Sequence, residues 1–304
     1  MRKIDFHVHI FDDIPIEKSA EYFNDMCARK GYEGVGIMAL LYDTYGYYYG
    51  CNEKALKLRE MIPNSYAFAA LDKEKDLAQQ AKELMEMGFD GIKLLSGKPS
   101  EYRRFGWGYE DDRFDRFFAY AEKEQIPLML HNNDPIDNWD MTKATPRALE
   151  RGWVYDETVP SQEWFFKTLE EVLDKHRDLR VAIAHLGFYA DNLDRAEALL
   201  EKCPNLYFDI TPALPIYEDL FKNPARAEVF FRRYHDRLIY GTDAANNLTG
   251  AAREYNDTKT EVVKTFLEGD EPRQIGKFFV TPIKLERYML ENIYYNNSQR
   301  FLGR

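Results

Sequence analysis

The sequence predicts a single α/β domain over residues 1–304, a (β/α)8 TIM barrel with long loops after strands 4, 5 and 8 and a closing C-terminal helical tail. Three observations carry that reading. Short, nearly continuous apolar segments of strand length alternate with amphipathic segments of helical period. Eight such strand segments are present, the number a closed barrel needs. No GxGxxG or GxxxxGKS/T loop follows a strand, as a doubly wound open sheet would require.

In chain order the predicted strands are Lys3 to His9, Gly34 to Leu41, Tyr66 to Leu71, Asp90 to Leu95, Pro127 to His131, Arg180 to His185, Leu206 to Ile210 and Leu238 to Tyr240. Their apolar character on both faces marks a parallel sheet covered by helices. The segments "IEKSAEYFNDMCARKG", "EKDLAQQAKELMEMG", "DDRFDRFFAYAEKEQ", "SQEWFFKTLEEVLDKH" and "LDRAEALLEKC" are amphipathic, and several close on glycine or a basic residue, as helix ends prefer. The barrel runs to about residue 280, and "TPIKLERYMLENIYYNNSQRFLG" follows as the helical tail. Three connections are long: Ser96 to Glu110, Asn132 to Pro160, and Ala244 to about Glu271. All follow C-terminal strand ends, the face where barrels build their sites, so they are candidate substrate walls or lids. They contain Arg103, Arg104, Trp107, Trp139, Arg147, Arg151, Trp153 and Tyr155.

Composition narrows the function. A formal charge of −11, from 41 basic and 52 acidic residues, repels nucleic acid and anionic membrane surfaces, so neither is an expected partner. No apolar run approaches the ~20 residues of a membrane span and no secretory leader is evident, which predicts a cytoplasmic protein. Cys27, Cys51 and Cys203 are odd in number and far apart, indicating reduced thiols and no thiolate metal site. Of the 21 tyrosines, several lie in "TYGYYYG", residues 44 to 50, which follows strand 2 and reads equally as an aromatic pocket wall or as a tyrosine-rich turn or homodimer contact.

The chemistry concentrates at strand ends. In "IDFHVHIF" His7 and His9 are two apart, so both should face one side together with Asp5, while Phe6, Val8 and Ile10 face the other. Alone, that pair reads equally well as core histidines. "IPLMLHNND" ends at His131, "LRVAIAHLG" at His185 and "RLIYGTDA" at Asp243. Four of the six histidines and an aspartate therefore fall at the tops of strands 1, 5, 6 and 8. Burying that much polarity in an apolar barrel is costly unless the groups bind something, and a metal ion is the expected occupant. The remaining two, His176 near a helix C-terminus and His235 just before strand 8, read as structural.

On "DFHVH", "LMLHNND", "VAIAHLG", "LYFDIT", "YGTD" and the tail "ENIYYNNSQRFLG", taken in order and spanning the chain, the sequence resembles the amidohydrolase superfamily, specifically its amidohydrolase-2 branch of single-domain metal-dependent hydrolases and decarboxylases. The resemblance implies that His7, His9, His131 and Asp243 bind one divalent cation, usually Zn2+, with Mn2+ as the alternative. It implies that His185 stands beside the activated water, and that Asp243 is the general acid/base. For Lys93, in "FDGIKLL" on strand 4, three readings stand: a carbamylated bridge in a binuclear centre, a contact to a substrate carboxylate or a buried ion pair, and a structural lysine. One-residue register slips would turn it outward.

The expected activity is hydrolysis of an amide, lactone or ester-like bond of a small-molecule substrate. The alternative on the same scaffold is non-oxidative decarboxylation of an unsaturated or aromatic acid. A third reading is a metal-binding barrel without turnover, against which His185 and Asp243 stand, since a structural zinc would need no acid/base group.

Overall fold

In the computed structural model, which describes residues 1–41, 51–246 and 250–304, the alternation is realised as a parallel sheet rolled into a barrel. Its strands are β1 (Asp5–His9), β2 (Val35–Met38), β3 (Tyr66–Ala70), β4 (Gly91–Gly97), β5 (Leu128–Asn132), β6 (Val181–Ile183), β7 (Leu206–Asp209), β8 (Leu238–Ile239) and β9 (Ala244–Ala245). Each of β1 to β8 pairs in parallel with the next. β8 and β9 are two pieces of one stretch: β8 lies on β7, and β9 lies on β1 with Ala245 opposite His9. Between the pieces, Phe6 N donates to Tyr240 O at 3.1 Å and Asp243 N to His7 O at 2.9 Å. This interrupted eighth strand closes the barrel onto β1.

The outer helices follow the expected periodicity. Helix Ile16–Lys30 buries Ala20, Phe23, Met26 and Cys27 along one face and stops at Gly31, whose φ of 72° is one that glycine adopts without strain. Helix Asp112–Lys123 buries Phe114, Phe117, Phe118 and Ala121, and the Asp111 side chain caps it by accepting from Arg113 N. Ser161 likewise caps Gln162–Lys175 by accepting from Trp164 N.

Three expectations need correction. The long connections are partly ordered: helix Pro99–Phe105 follows β4, and a 3-10 turn Ile136–Trp139 and helix Pro146–Glu150 follow β5. After β9 comes helix Gly250–Glu268. Its first half is polar and hides the period, whereas Val262, Val263, Phe266 and Leu267 in its second half are buried. Strand 6 is shorter than expected, because the chain turns at Ala184–Phe188 with φ of 56° at His185 and 52° at Leu186.

The alternation along β1 is also broken. An irregularity between Asp5 and Val8 shifts the register against β2. Below it Phe6 faces the barrel interior, its ring 5.5 Å from Phe68 and 6.0 Å from Phe301, while Asp5 is buried on the other side near Cys27 and Tyr32. Above it His7 and His9 face inward. Asp5 and His7 therefore do not share a side, and Phe6 does not lie under the helices.

The interior is layered. Ile4, Phe6, Met38, Phe68, Met129, Ala182 and Ile239 fill its lower part. Phe301, on the last helix of the tail, seals that end against Phe6, Phe68 and Tyr207. The tail is held to the barrel by Ile4 N donating to Tyr294 O at 2.9 Å and Asn297 Nδ2 to Leu238 O at 2.6 Å. With the lower layer apolar and plugged, polar side chains collect at the opposite end. Among the described residues, no helix is long and apolar enough to cross a membrane.

Candidate metal centre

β1 and the interrupted eighth strand meet at the polar end, and their side chains converge. His7 Nδ1 donates to Asp209 Oδ2 at 2.5 Å, which leaves the lone pair on Nε2. His9 Nδ1 donates to Met38 O at 3.4 Å, again leaving Nε2 as the acceptor. The two Nε2 atoms face each other at 3.2 Å, and Asp243 Oδ1 lies 3.2 Å from His9 Nε2. The ligand atoms of His7, His9 and Asp243 all fall within 4.8 Å of one another. Two imidazole lone pairs and a carboxylate aimed into one space repel unless a cation sits between them, and the donor set suits a divalent ion such as zinc or manganese.

Asp243 reaches this position through an unusual backbone, φ 57°, a region a non-glycine residue seldom occupies. Its neighbours hold it there. Thr242 N and Oγ1 both donate to buried Asp5, at 2.9 and 2.5 Å. Gly241 is required by space, because a Cβ there would lie 2.6 Å from Thr211 Oγ1 and 2.7 Å from His7 Cβ.

The other two histidines stand one ring further on. The His185 ring is 5.7 Å from His7 and 5.0 Å from His131. His185 Nδ1 donates to Thr211 O at 3.1 Å, so Nε2 is its acceptor. His131 Nε2 donates to Asn133 O at 3.1 Å, which leaves its lone pair on Nδ1. His131 is not part of the three-residue ligand group in this conformation.

Lys93 points inward, level with Met129 across the β4–β5 pair, and its Nζ lies 3.5 Å from His7 Nε2. The strand register therefore turns it into the site.

Burial governs the protonation states. It holds His7 and His131 well below the ordinary imidazole value, with the Lys93 and Lys98 ammonium groups adding to the effect, and it lowers His185. All three are neutral at pH 7, as ligation or lone-pair chemistry demands. Burial pushes the Lys93 ammonium down to about 8 against the pull of Asp209 and Asp243. For Asp243 burial acts upward, but the His9 hydrogen bond and the nearby Lys259 charge outweigh it and hold the carboxyl well below the usual range.

Several supporting residues were not singled out from the sequence. Asp209, fully buried at the end of β7, fixes the His7 tautomer and also accepts from Thr211 N at 2.7 Å and from the Thr211 hydroxyl. Its only signal is its place at a strand end in "LYFDIT". Asp134, just past β5, accepts from Lys98 Nζ at 2.5 Å and from the Tyr155 hydroxyl, and lies 3.7 Å from His131 Nε2. Lys259, discussed below, comes from the helix after β9.

His176 bonds to Asp115 at 3.1 Å and Glu122 at 3.4 Å, and His235 Nδ1 accepts from Asn292 Nδ2 at 3.0 Å, both away from the centre. Of the rim candidates, Trp139, Trp153 and Tyr155 pack with Phe165, and Arg103 spans to Gly152 O and Val154 O. "TYGYYYG" lies outside the described residues.

A family model described as Amidohydrolase matches residues 4–304. No curated protein matches the sequence. Among solved structures, the chain is similar to an uncharacterized TIM-barrel protein from Bordetella bronchiseptica, with TM-score 0.62 and 14% identity over 100% of both chains. It is also similar to a protein described as a probable 2-pyrone-4,6-dicarboxylic acid hydrolase from Acinetobacter baumannii with citric acid bound, TM-score 0.58 and 12% identity over 100% of both chains. A third is a dihydroxybenzoic acid decarboxylase from Polaromonas sp. JS666 with bound manganese and the inhibitor 2-nitroresorcinol. It shows TM-score 0.56 and 13% identity over 99% of this chain and 97% of that one. At these identities the likeness is one of fold.

Proposed function

This chain belongs to the amidohydrolase family, and we propose that it is a metal-dependent hydrolase acting on a small organic substrate with one divalent cation, zinc or manganese, in the cytoplasm. The observation that carries the reading is the convergence of His7 Nε2, His9 Nε2 and Asp243 Oδ1, three acceptors within 4.8 Å. His131 is the fourth ligand in this reading, through the Nδ1 that its bond to Asn133 leaves free. A divalent cation held there supplies Lewis-acid chemistry, lowering the pKa of water toward ~7.

The chain's own residues do the rest. Asp243 is ionised at neutral pH, so its carboxylate takes the proton of an attacking water and later returns it to the leaving group. His185 is neutral and fixed by Thr211 O, and its Nε2 accepts a hydrogen bond that orients water or substrate. Asp209 holds the His7 ring, and the apolar lower layer with its Phe301 plug keeps the site open at one end only.

Lys93 favours a second reading. A buried ammonium 3.5 Å from a ligand nitrogen suits a substrate carboxylate, as a non-oxidative decarboxylase would need. The manganese-bound decarboxylase of similar fold is consistent with it. The same lysine as a carbamate would instead give a binuclear centre.

Metal analysis of protein purified without chelator tests the whole reading. We expect about one equivalent, lost together with activity in His7→Ala. Absence of metal even after zinc or manganese is added would refute it, and two equivalents with a carbamate's extra mass on Lys93 would select the binuclear form. Carbon dioxide release from candidate acids, set against water addition, separates decarboxylation from hydrolysis.

A further inference from the structure

Two buried lysines flank the ligand group with no ion pair among the described residues. Lys93, 2% exposed, rises from β4 beside His7. Lys259, 7% exposed, lies on the inner face of helix Gly250–Glu268, where its Nζ donates to the carbonyl of Thr242, next to Asp243, at 3.4 Å. Three residues earlier on that helix, Asn256 is also buried, and its Oδ1 has no hydrogen-bond partner among the described residues.

Of the other buried charges nearby, Lys98 is matched by Asp134, while the Asp209 carboxylate is bonded to the neutral His7 ring and acts on Lys93 without an ion pair to it. Asp243 is the carboxylate that both free ammonium groups feel, and it is a ligand in the metal centre proposed above. With a divalent cation bound, Lys93 and Lys259 stand in a poorly solvated space with positive charge in excess. A buried charge left uncompensated is strongly destabilising, so such lysines persist where a bound anion completes them. Lys93 comes from β4 and Lys259 from the helix that follows β9, so the two charges are delivered by separate parts of the barrel, and an acid with two carboxylates offers each its own partner.

We infer that the substrate is a small dicarboxylate, one carboxylate held by Lys259 and the other by Lys93, and that Lys259 is a specificity-determining residue. This rests on the metal-centre reading, which supplies the excess charge.

Calorimetric titration of manganese-reconstituted protein with succinate, glutarate and phthalate, and with their monoamides, tests it. At least one diacid is expected to bind about tenfold or more tighter than its monoamide, as loss of one charge-assisted contact implies. Lys259→Met is expected to remove that preference while leaving the thermal midpoint without acid unchanged or raised, because it deletes an unpaired buried charge. A lysine that merely ties its helix to Thr242 gives the opposite pattern, a lowered midpoint with the preference intact, and that result overturns the inference. So does the failure of all three diacids to bind, or equal affinity for diacid and monoamide. Metal content measured on the same samples keeps the two readings apart: retained metal without diacid preference refutes only the dicarboxylate assignment, and diacid preference without metal refutes only the metal centre.

Discussion

His7 is specified at both ends of its ring. Nδ1 is tied to the carboxylate of Asp209, 202 residues away in the chain, and Nε2 is thereby committed to accepting. Sequence spacing identified His7 and its partner His9 because an HxH on a strand is a local pattern. It did not single out Asp209, because nothing local in "LYFDIT" says which side chain its aspartate will meet. The dependence is measurable. Asp209→Asn keeps the shape and removes the charge, and is expected to weaken zinc or manganese binding by about tenfold to a hundredfold in a competition titration with a metallochromic dye. Unchanged affinity would mean that Asp209 only fills space.

Among elements, strand ends matter more than strand middles. β4 and β5 were legible as apolar runs, but what joins their tops is the Lys98–Asp134 pair with the Tyr155 hydroxyl, assembled from segments that read as loops. Burial would raise Asp134, yet Lys98 and His131 hold it down to about 2. A carboxyl with a depressed folded-state pKa contributes stability that is present above its unfolded value of 3.8 and is lost as pH falls through about 2. The difference amounts to roughly 2 kcal/mol at 1.36 kcal/mol per unit. Denaturant unfolding of Asp134→Asn should therefore show a deficit of at least that size at neutral pH, narrowing progressively below about pH 4. A deficit that does not change with pH would mean that the pair is not coupled to folding. The irregularity in β1 and the turn at His185 have the same lesson: each re-aims side chains in ways a strict two-residue period does not foresee.

For the molecule as a whole, the candidate centre joins the start of the chain to its last barrel strand, with His7 and His9 on β1 and Asp243 on the stretch that closes the ring. A ligand that binds only the closed barrel stabilises it by mass action, about 2.7 kcal/mol at a free metal concentration a hundredfold above Kd. Loading the chelated protein with zinc or manganese is expected to raise Tm by several degrees, and chelator to reverse the rise. A midpoint indifferent to metal would argue against a site built across the closure. The tail acts at the other pole, where Phe301 plugs the interior against Phe6 and Phe68 and leaves the polar end as the open one.

From the order of residues alone came the barrel, the four histidines and the aspartate at its strand ends, and the expectation of a metal, because hydrophobic period and residue type are local properties of the chain. Tertiary structure decided the rest. It turned Lys93 inward, set Asp209 behind His7, and brought Lys259 to Thr242 from a helix that had read as loop. The reason is physical: tautomer, charge balance and the direction of a side chain depend on neighbours that only the closing of the barrel brings within reach.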